Sequence, residues 1–101
     1  MATTTKALFR GAATTSTGTT LYTVPSATTT VVTNIAVTNT GSAAYTFTLA
    51  LAGTALHTTT AIAANTTAYI DCKQVLATTN TITGGASNVA VSFHISGVEI
   101  A

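Results

Sequence analysis

Large apolar and small polar residues alternate along most of this chain, and the alternation has the period of a β-strand. The clearest case is Tyr45-Thr46-Phe47-Thr48-Leu49-Ala50-Leu51. Successive strand side chains point to opposite faces, so Tyr45, Phe47, Leu49 and Leu51 share one face, and Thr46, Thr48 and Ala50 share the other. A helix would scatter the same large residues around its circumference. Residues 88–96 repeat the pattern, with Val89, Val91, Phe93 and Ile95 inward and Ala90, Ser92, His94 and Ser96 outward. Residues 31–38 form a third strand, with Val31, Ile35 and Val37 inward. Residues 20–24 form a fourth, stopped by Pro25, which cannot donate to a ladder. A fifth covers 67–73, and shorter strands are predicted at 7–10, 54–57 and 80–83.

Turn chemistry separates these segments at Pro25-Ser26, Asn39-Thr40-Gly41-Ser42, Gly53-Thr54, Ala64-Asn65 and Gly84-Gly85. Gly97 interrupts the last alternation and marks a bulge that re-aims Val98 and Ile100. No segment of helical length carries a 3.6-residue period. Short strands at spacings of about ten residues predict an all-β fold. The expected architecture is a single antiparallel β-sandwich, jelly-roll-like or Ig-like, of about seven to eight strands over residues 1–101. Its predicted core is Leu21, Val24, Val31, Ile35, Val37, Phe47, Leu49, Leu51, Ile82, Val91, Phe93 and Ile95.

Composition sharpens this picture. Roughly a quarter of the chain is Thr, a β-branched residue whose hydroxyl keeps a sheet face wet without charge. Charged residues are 5% and the formal net charge is +1. Hydrophobic residues are 47%, which argues against disorder. With so little charge there is little self-repulsion, and near-neutral surfaces associate. A domain of this size is also marginally stable as a monomer, so assembly that buries more surface helps it. There is no basic stripe for nucleic acid and no apolar run of roughly 18 residues for a membrane span. The start, Met1-Ala2-Thr3-Thr4-Thr5-Lys6, lacks the apolar core of a signal peptide, which points to synthesis in a cytoplasm.

Catalytic chemistry has few places to reside. The reactive candidates are Asp71, Glu99, His57, His94 and Cys72. Acid–base work by carboxylates would need Asp71 beside Glu99. A thiolate nucleophile would need Cys72 beside His57 or His94, and no signature surrounds it. Cys72 is the only cysteine, so it forms no internal disulfide and reads as a buried, inert thiol. Two histidines and one cysteine scattered along the chain make a weak zinc set. Gly84-Gly85 lacks the helix and the Lys-Ser/Thr of a phosphate loop and reads as a hairpin turn. Asn65-Thr66-Thr67 fits a glycosylation sequon without any sign of a secretory route. Thr46-Phe47-Thr48 and Thr81-Ile82-Thr83 lack the repeat that an ice-ordering Thr array needs. The expectation is a non-enzyme with no cofactor and no metal.

The run Leu21-Tyr22-Thr23-Val24-Pro25, then residues 31–41 (VVTNIAVTNTG), then residues 44–49 (AYTFTL), then Ile62-Ala63-Ala64-Asn65 and a closing Ser96-Gly97-Val98-Glu99-Ile100, resembles a family of small tailed-bacteriophage virion proteins. The resemblance spans nearly the whole chain and is one of strands and turns. It implies a β-sandwich structural protein of the virion. The favoured expectation is a capsid decoration (cement) or minor capsid protein that bridges capsid subunits. Its partners would be the major capsid protein and copies of itself, as a trimer. Residues 1–5 would form an extended arm that orders on binding. Thr3, Thr4, Thr5, Lys6 and Arg10 are the candidate partner contacts. The alternative is a tail, baseplate or fibre protein, in which Tyr45, Tyr69 and the His57 loop would touch a host glycan. A free carbohydrate-binding module ranks lower, because the chain has no Trp and few Tyr.

Overall fold

The computed structural model describes residues 3–70 and 73–101. Among them the strands are β1 (Thr3–Ala12), β2 (Thr20–Thr23), β3 (Thr29–Asn39), β4 (Tyr45–Leu51), β5 (Thr54–Ile62), β6 (Thr66–Ile70), β7 (Gln74–Leu76), β8 (Thr81–Ala86) and β9 (Val91–Ile100). They form two antiparallel sheets. One has the order β1-β9-β3-β6, with β7 also paired to β3, and the other has the order β2-β8-β4-β5. β6 and β7 pair with successive stretches of β3 and act as two halves of one strand. Every connection except the β4–β5 hairpin then crosses from one sheet to the other. That is the double Greek key of a jelly roll, not the immunoglobulin arrangement.

Local chemistry sets the joints. Leu51 faces Thr54 across a two-residue loop in which Ala52 (φ 52°) and Gly53 (φ 79°) both take positive φ, as a tight hairpin requires. The turn at the end of β3 is built on the buried Asn39. Its Nδ2 donates to Ala43 O (2.8 Å) and Ile62 O (3.2 Å), and its Oδ1 accepts from Gly41 N–H (2.9 Å). One side chain thus ties three segments and leaves no buried amide atom unsatisfied.

The core lies between the sheets. Of the expected inward set, all but Leu21 and Val31 are buried. Phe93 and Phe47 meet edge to face at 6.3 Å between the two sheets. The exceptions have a common cause. The β3–β9 register slips between Val32 and Asn34, so Thr33 is an extra residue in β3. The inward side is therefore Thr30 and Val32 before the bulge, then Ile35, Val37 and Asn39 after it. A slip between Thr20 and Tyr22 likewise buries Tyr22 and leaves Leu21 half-buried. Val89 lies ahead of β9, in a turn held by Ala90 N–H to Asn88 Oδ1 (2.9 Å), and is 62% exposed.

Three further expectations are corrected. Gly84-Gly85 is not a turn. Both glycines are buried inside β8, because a Cβ on Gly84 would meet Thr48 O at 2.6 Å and one on Gly85 would strike Ser16 O. The segment following β1 continues the sheet edge there, through Gly84 N–H to Thr19 O and Ala86 N–H to Thr14 O, both 2.9 Å. Thr3–Thr5 are not a separate arm. They are the first residues of β1, opposite Ile100, Glu99 and Val98, while the rest of the proposed arm, residues 1–2, lies outside the described residues. Gly97 is not itself a bulge. The extra residues are Leu8 in β1 and Thr33 in β3, one in each strand that flanks it.

Gly97 has no side chain because the neighbouring backbones leave no room. A Cβ there would lie 2.5 Å from Val31 O and 2.9 Å from Leu8 Cδ1. Gly97→Ala is expected to destabilise the fold by about 2 kcal/mol through overpacking. Gly18→Ala, with nothing within 4 Å of the added carbon, is expected to stay near wild type. Urea unfolding of the two variants checks this. Equal midpoints would show that the Gly97 site can relax.

Candidate interaction surface

Formal charge is distributed unevenly over the two sheets. Among the described residues, Lys6 and Arg10 lie in β1, Glu99 lies in β9, and Lys73 immediately precedes β7. β2, β8, β4 and β5 contain no Lys, Arg, Asp or Glu at all. Because Phe47, Leu49, Leu51 and Ile82 point inward, Thr46, Thr48, Ala50, Thr81 and Thr83 face outward. Register places Thr20, Thr83, Ala50 and Ala55 in one cross-strand row and Thr23 beside Thr81. The result is a neutral sheet face of hydroxyls and methyls.

The ionisable groups of the other sheet divide between its two sides. Glu99 shares the inward-facing side with Thr30, its register partner on β3. Tyr22 reaches across from the opposite sheet and donates its phenol proton to Glu99 Oε2. A phenol has one proton, so the buried Thr30 hydroxyl donates to the Tyr22 oxygen, at 2.9 Å. Lys6 Nζ lies 3.4 Å from the same carboxylate, with half of its side chain in solvent. The Tyr22 hydrogen bond is the main cause that holds the Glu99 carboxyl below its ordinary value. Burial opposes this, and the Lys6 hydrogen bond and charge reinforce it. Burial is the main cause that pushes the Tyr22 phenol up, joined by the hydrogen bond to Glu99 and its negative charge, and the Thr30 hydrogen bond opposes it. This cluster is a clasp between the sheets, and among the described residues no buried side-chain polar atom lacks a partner.

On the outward side, Arg10 (β1) faces His94 (β9), His94 faces Ala36 (β3), and Ala36 faces Tyr69 (β6). Tyr69 is 75% exposed. A second row, Thr5, Val98, Val31 and Val75, is largely aliphatic.

The candidate partner contacts therefore divide. Thr3, Thr5 and Arg10 lie on the outward side of β1, while Thr4 and Lys6 lie on the side that carries Glu99. All five are exposed. Asp71 and Cys72 lie outside the described residues. His57 is not in a loop. It sits within β5, half-buried, with its ring 5.4 Å from Phe47 and its Nδ1 3.3 Å from Thr60 Oγ1. Tyr45 is half-buried against the core. His57 and His94 belong to different sheets. Among the described residues no group of three or more His, Cys, Asp or Glu comes together. A depression of about 200 Å³, lined by Leu51, Thr54, Ala55, Leu56 and Gln74, holds no ionisable side chain. Sequence reasoning missed the Tyr22–Glu99 pair, which is 77 residues apart in the chain and has no local signal.

No protein-family model, no curated protein and no solved structure matches the chain.

The clasp makes stability depend on pH at both extremes. Glu99 stays ionised in the folded chain where the unfolded carboxyl takes up a proton, so its stabilisation is complete above the ordinary carboxylate range and is lost as pH falls through its lowered folded value. Tyr22 stays protonated where the unfolded phenol ionises, so its stabilisation is complete below about pH 10 and is lost as pH rises through its raised folded value. Tyr22→Phe is expected to cost about 2 kcal/mol at neutral pH and to weaken both limbs, while Glu99→Gln removes its contribution to the acid limb. Thermal melts across the pH range measure this. Parallel profiles for wild type and Tyr22→Phe would show that the clasp does not couple to folding.

Proposed function

We propose that this protein is a structural component of a tailed-bacteriophage virion, made in the host cytoplasm and bound to the outside of the head as a capsid decoration protein. Its task is to add buried area between neighbouring capsid subunits, alongside copies of itself. The observation that carries this reading is the neutral β2-β8-β4-β5 sheet, whose strands contain no Lys, Arg, Asp or Glu. Soluble surfaces ordinarily carry roughly 25–35% charged residues, and exposed sheet edges are commonly guarded by them. A face that spends its working life covered needs neither, and covering it desolvates no ion. β5, the edge strand of this sheet, is rich in Thr and free of Lys. The jelly-roll strand order and the resemblance of the LYTVP, VVTNI and SGVEI segments to small virion proteins support the same reading.

Imaging of particles assembled with and without the protein tests the assignment. Extra density over the head faces is expected. Density confined to the tail would replace it with the tail, baseplate or fibre reading, and absence from particles would remove the virion role. A paired variant, Thr81→Lys with Thr83→Lys, places two charges on the neutral face without touching the core. It is expected to keep its thermal midpoint and to bind heads roughly a hundredfold more weakly, because each charge would be buried unpaired. Full occupancy by this variant would show that another face meets the capsid.

A further inference from the structure

We propose that the row Arg10, His94, Ala36, Tyr69, on the outward side of the β1-β9-β3-β6 sheet, is a binding site for an acidic saccharide. The ligand class is a sugar ring that carries a carboxylate. Register alone builds the row: Arg10 opposes His94, His94 opposes Ala36, and Ala36 opposes Tyr69. Neighbouring strands lie about 4.8 Å apart, so His94 and Tyr69 stand about 10 Å apart over a floor that is only the Ala36 methyl. That width suits one pyranose ring between two walls. Rows of small polar side chains flank it, with Ser92 and Thr38 on one side and Ser96 and Asn34 on the other.

The walls have complementary chemistry. Arg10 and His94 are exposed and form no hydrogen bond or ion pair with any described residue. A guanidinium without a partner offers a planar fork that matches a carboxylate in two parallel bonds, and the neighbouring imidazole adds a donor. Tyr69, at 75% exposure, offers an open aromatic face to the C–H side of a sugar ring and a phenol to its hydroxyls. Cations alone would accept any anion, and an aromatic alone would accept many neutral sugars. Together at this spacing they select a ring that bears a negative charge. The floor offers only a methyl group, while the aromatic wall matches the C–H face of a sugar ring, which favours a saccharide over an acidic peptide. Glu99 does not neutralise the site, since it lies on the opposite side of the sheet in the grip of Tyr22 and Lys6. The site is independent of the neutral face assigned to assembly, because it belongs to the other sheet.

Titration of the free, full-length protein tests the proposal, read by NMR shifts of the His94 and Tyr69 rings. The probes are a galacturonic-acid tetrasaccharide, a glucuronate-containing disaccharide and sialyllactose, with the carboxyl-reduced tetrasaccharide, inorganic phosphate and a glutamate tetrapeptide as comparators. At least one carboxylated sugar is expected to shift both rings, and reducing its carboxyls is expected to weaken binding roughly tenfold. Arg10→Gln is expected to weaken binding to a similar degree. Tyr69→Ala should weaken the acidic sugar while leaving any response to phosphate unchanged. Both substituted side chains are exposed, so the two variants should keep the wild-type thermal midpoint. Equal binding of phosphate or the glutamate peptide would reduce the row to a general anion site. No shift with any of the carboxylated sugars, or binding unaffected by Arg10→Gln, would overturn the proposal.

Discussion

The structure depends on the placement of β9 between β1 and β3 without a side chain at Gly97. β9 pairs along its length with both neighbours, and each neighbour carries its extra residue beside this glycine. A strand with one bulge on each side keeps its own alternation while changing that of its partners. This is why Val91, Phe93, Ile95 and Gly97 face inward without interruption, whereas β3 switches from Thr30 and Val32 to Ile35 and Val37. The same offset sets what shares each cross-strand row. Without it Arg10, His94, Ala36 and Tyr69 would not face one way, and Glu99 would not lie beside Thr30 within reach of Tyr22.

The charge pattern follows a similar economy. A chain with three cations and two carboxylates cannot protect two sheet faces and four sheet edges with charge. Here the β1-β9-β3 sheet holds Lys6, Arg10 and Glu99, and the β2-β8-β4-β5 sheet holds none. The neutral sheet stays wet through Thr hydroxyls, whose methyl groups at the same positions also permit close contact. Hydroxyls lose little on burial when a partner supplies hydrogen bonds, whereas a Lys or Glu would have to be paired or stripped of water. Such a face can be exchanged between water and a protein partner at small cost, which is what the proposed decoration role requires.

Much of the fold was legible in the chain. The alternation in Tyr45–Leu51 named both the strand and its faces, because β4 has regular alternation from end to end. Phe93 and Ile95 were equally clear. The failures cluster where a strand carries an extra residue or where backbones approach closely. Alternation puts Val31 inward, whereas Val32 is the buried residue, because alternation cannot reveal a bulge whose extra residue is another Thr. Gly84-Gly85 read as a turn because glycine suits turns, yet here glycine serves a strand crowded by Thr48 and Ser16. The site was less legible than the fold. Tyr22 and Glu99, like Arg10 and Tyr69, are brought together by strand order, and strand order is a long-range property that no local window contains. The exposed cation Arg10 and the exposed Tyr69 were visible as candidates, but their common row was not.

The separation of the two faces has a further consequence. Opposed sheets in a sandwich pack about 10 Å apart, and the outward side chains add to that distance. At physiological ionic strength the Debye length is about 8 Å, so a charge on one outer face is largely screened from the other. Were the neutral face covered as proposed, Arg10 could remain hydrated and unpaired on its own face, and neither event would alter the energy of the other. Had Arg10 lain in β4 or β8, covering that face would have required a matching carboxylate on the partner or the loss of several kcal/mol. Keeping the cation on β1 leaves assembly free of any charge requirement and leaves the guanidinium free for a ligand. The two proposed contacts, a neighbour on one sheet and a soluble anion on the other, therefore place no conflicting demands on one small sandwich.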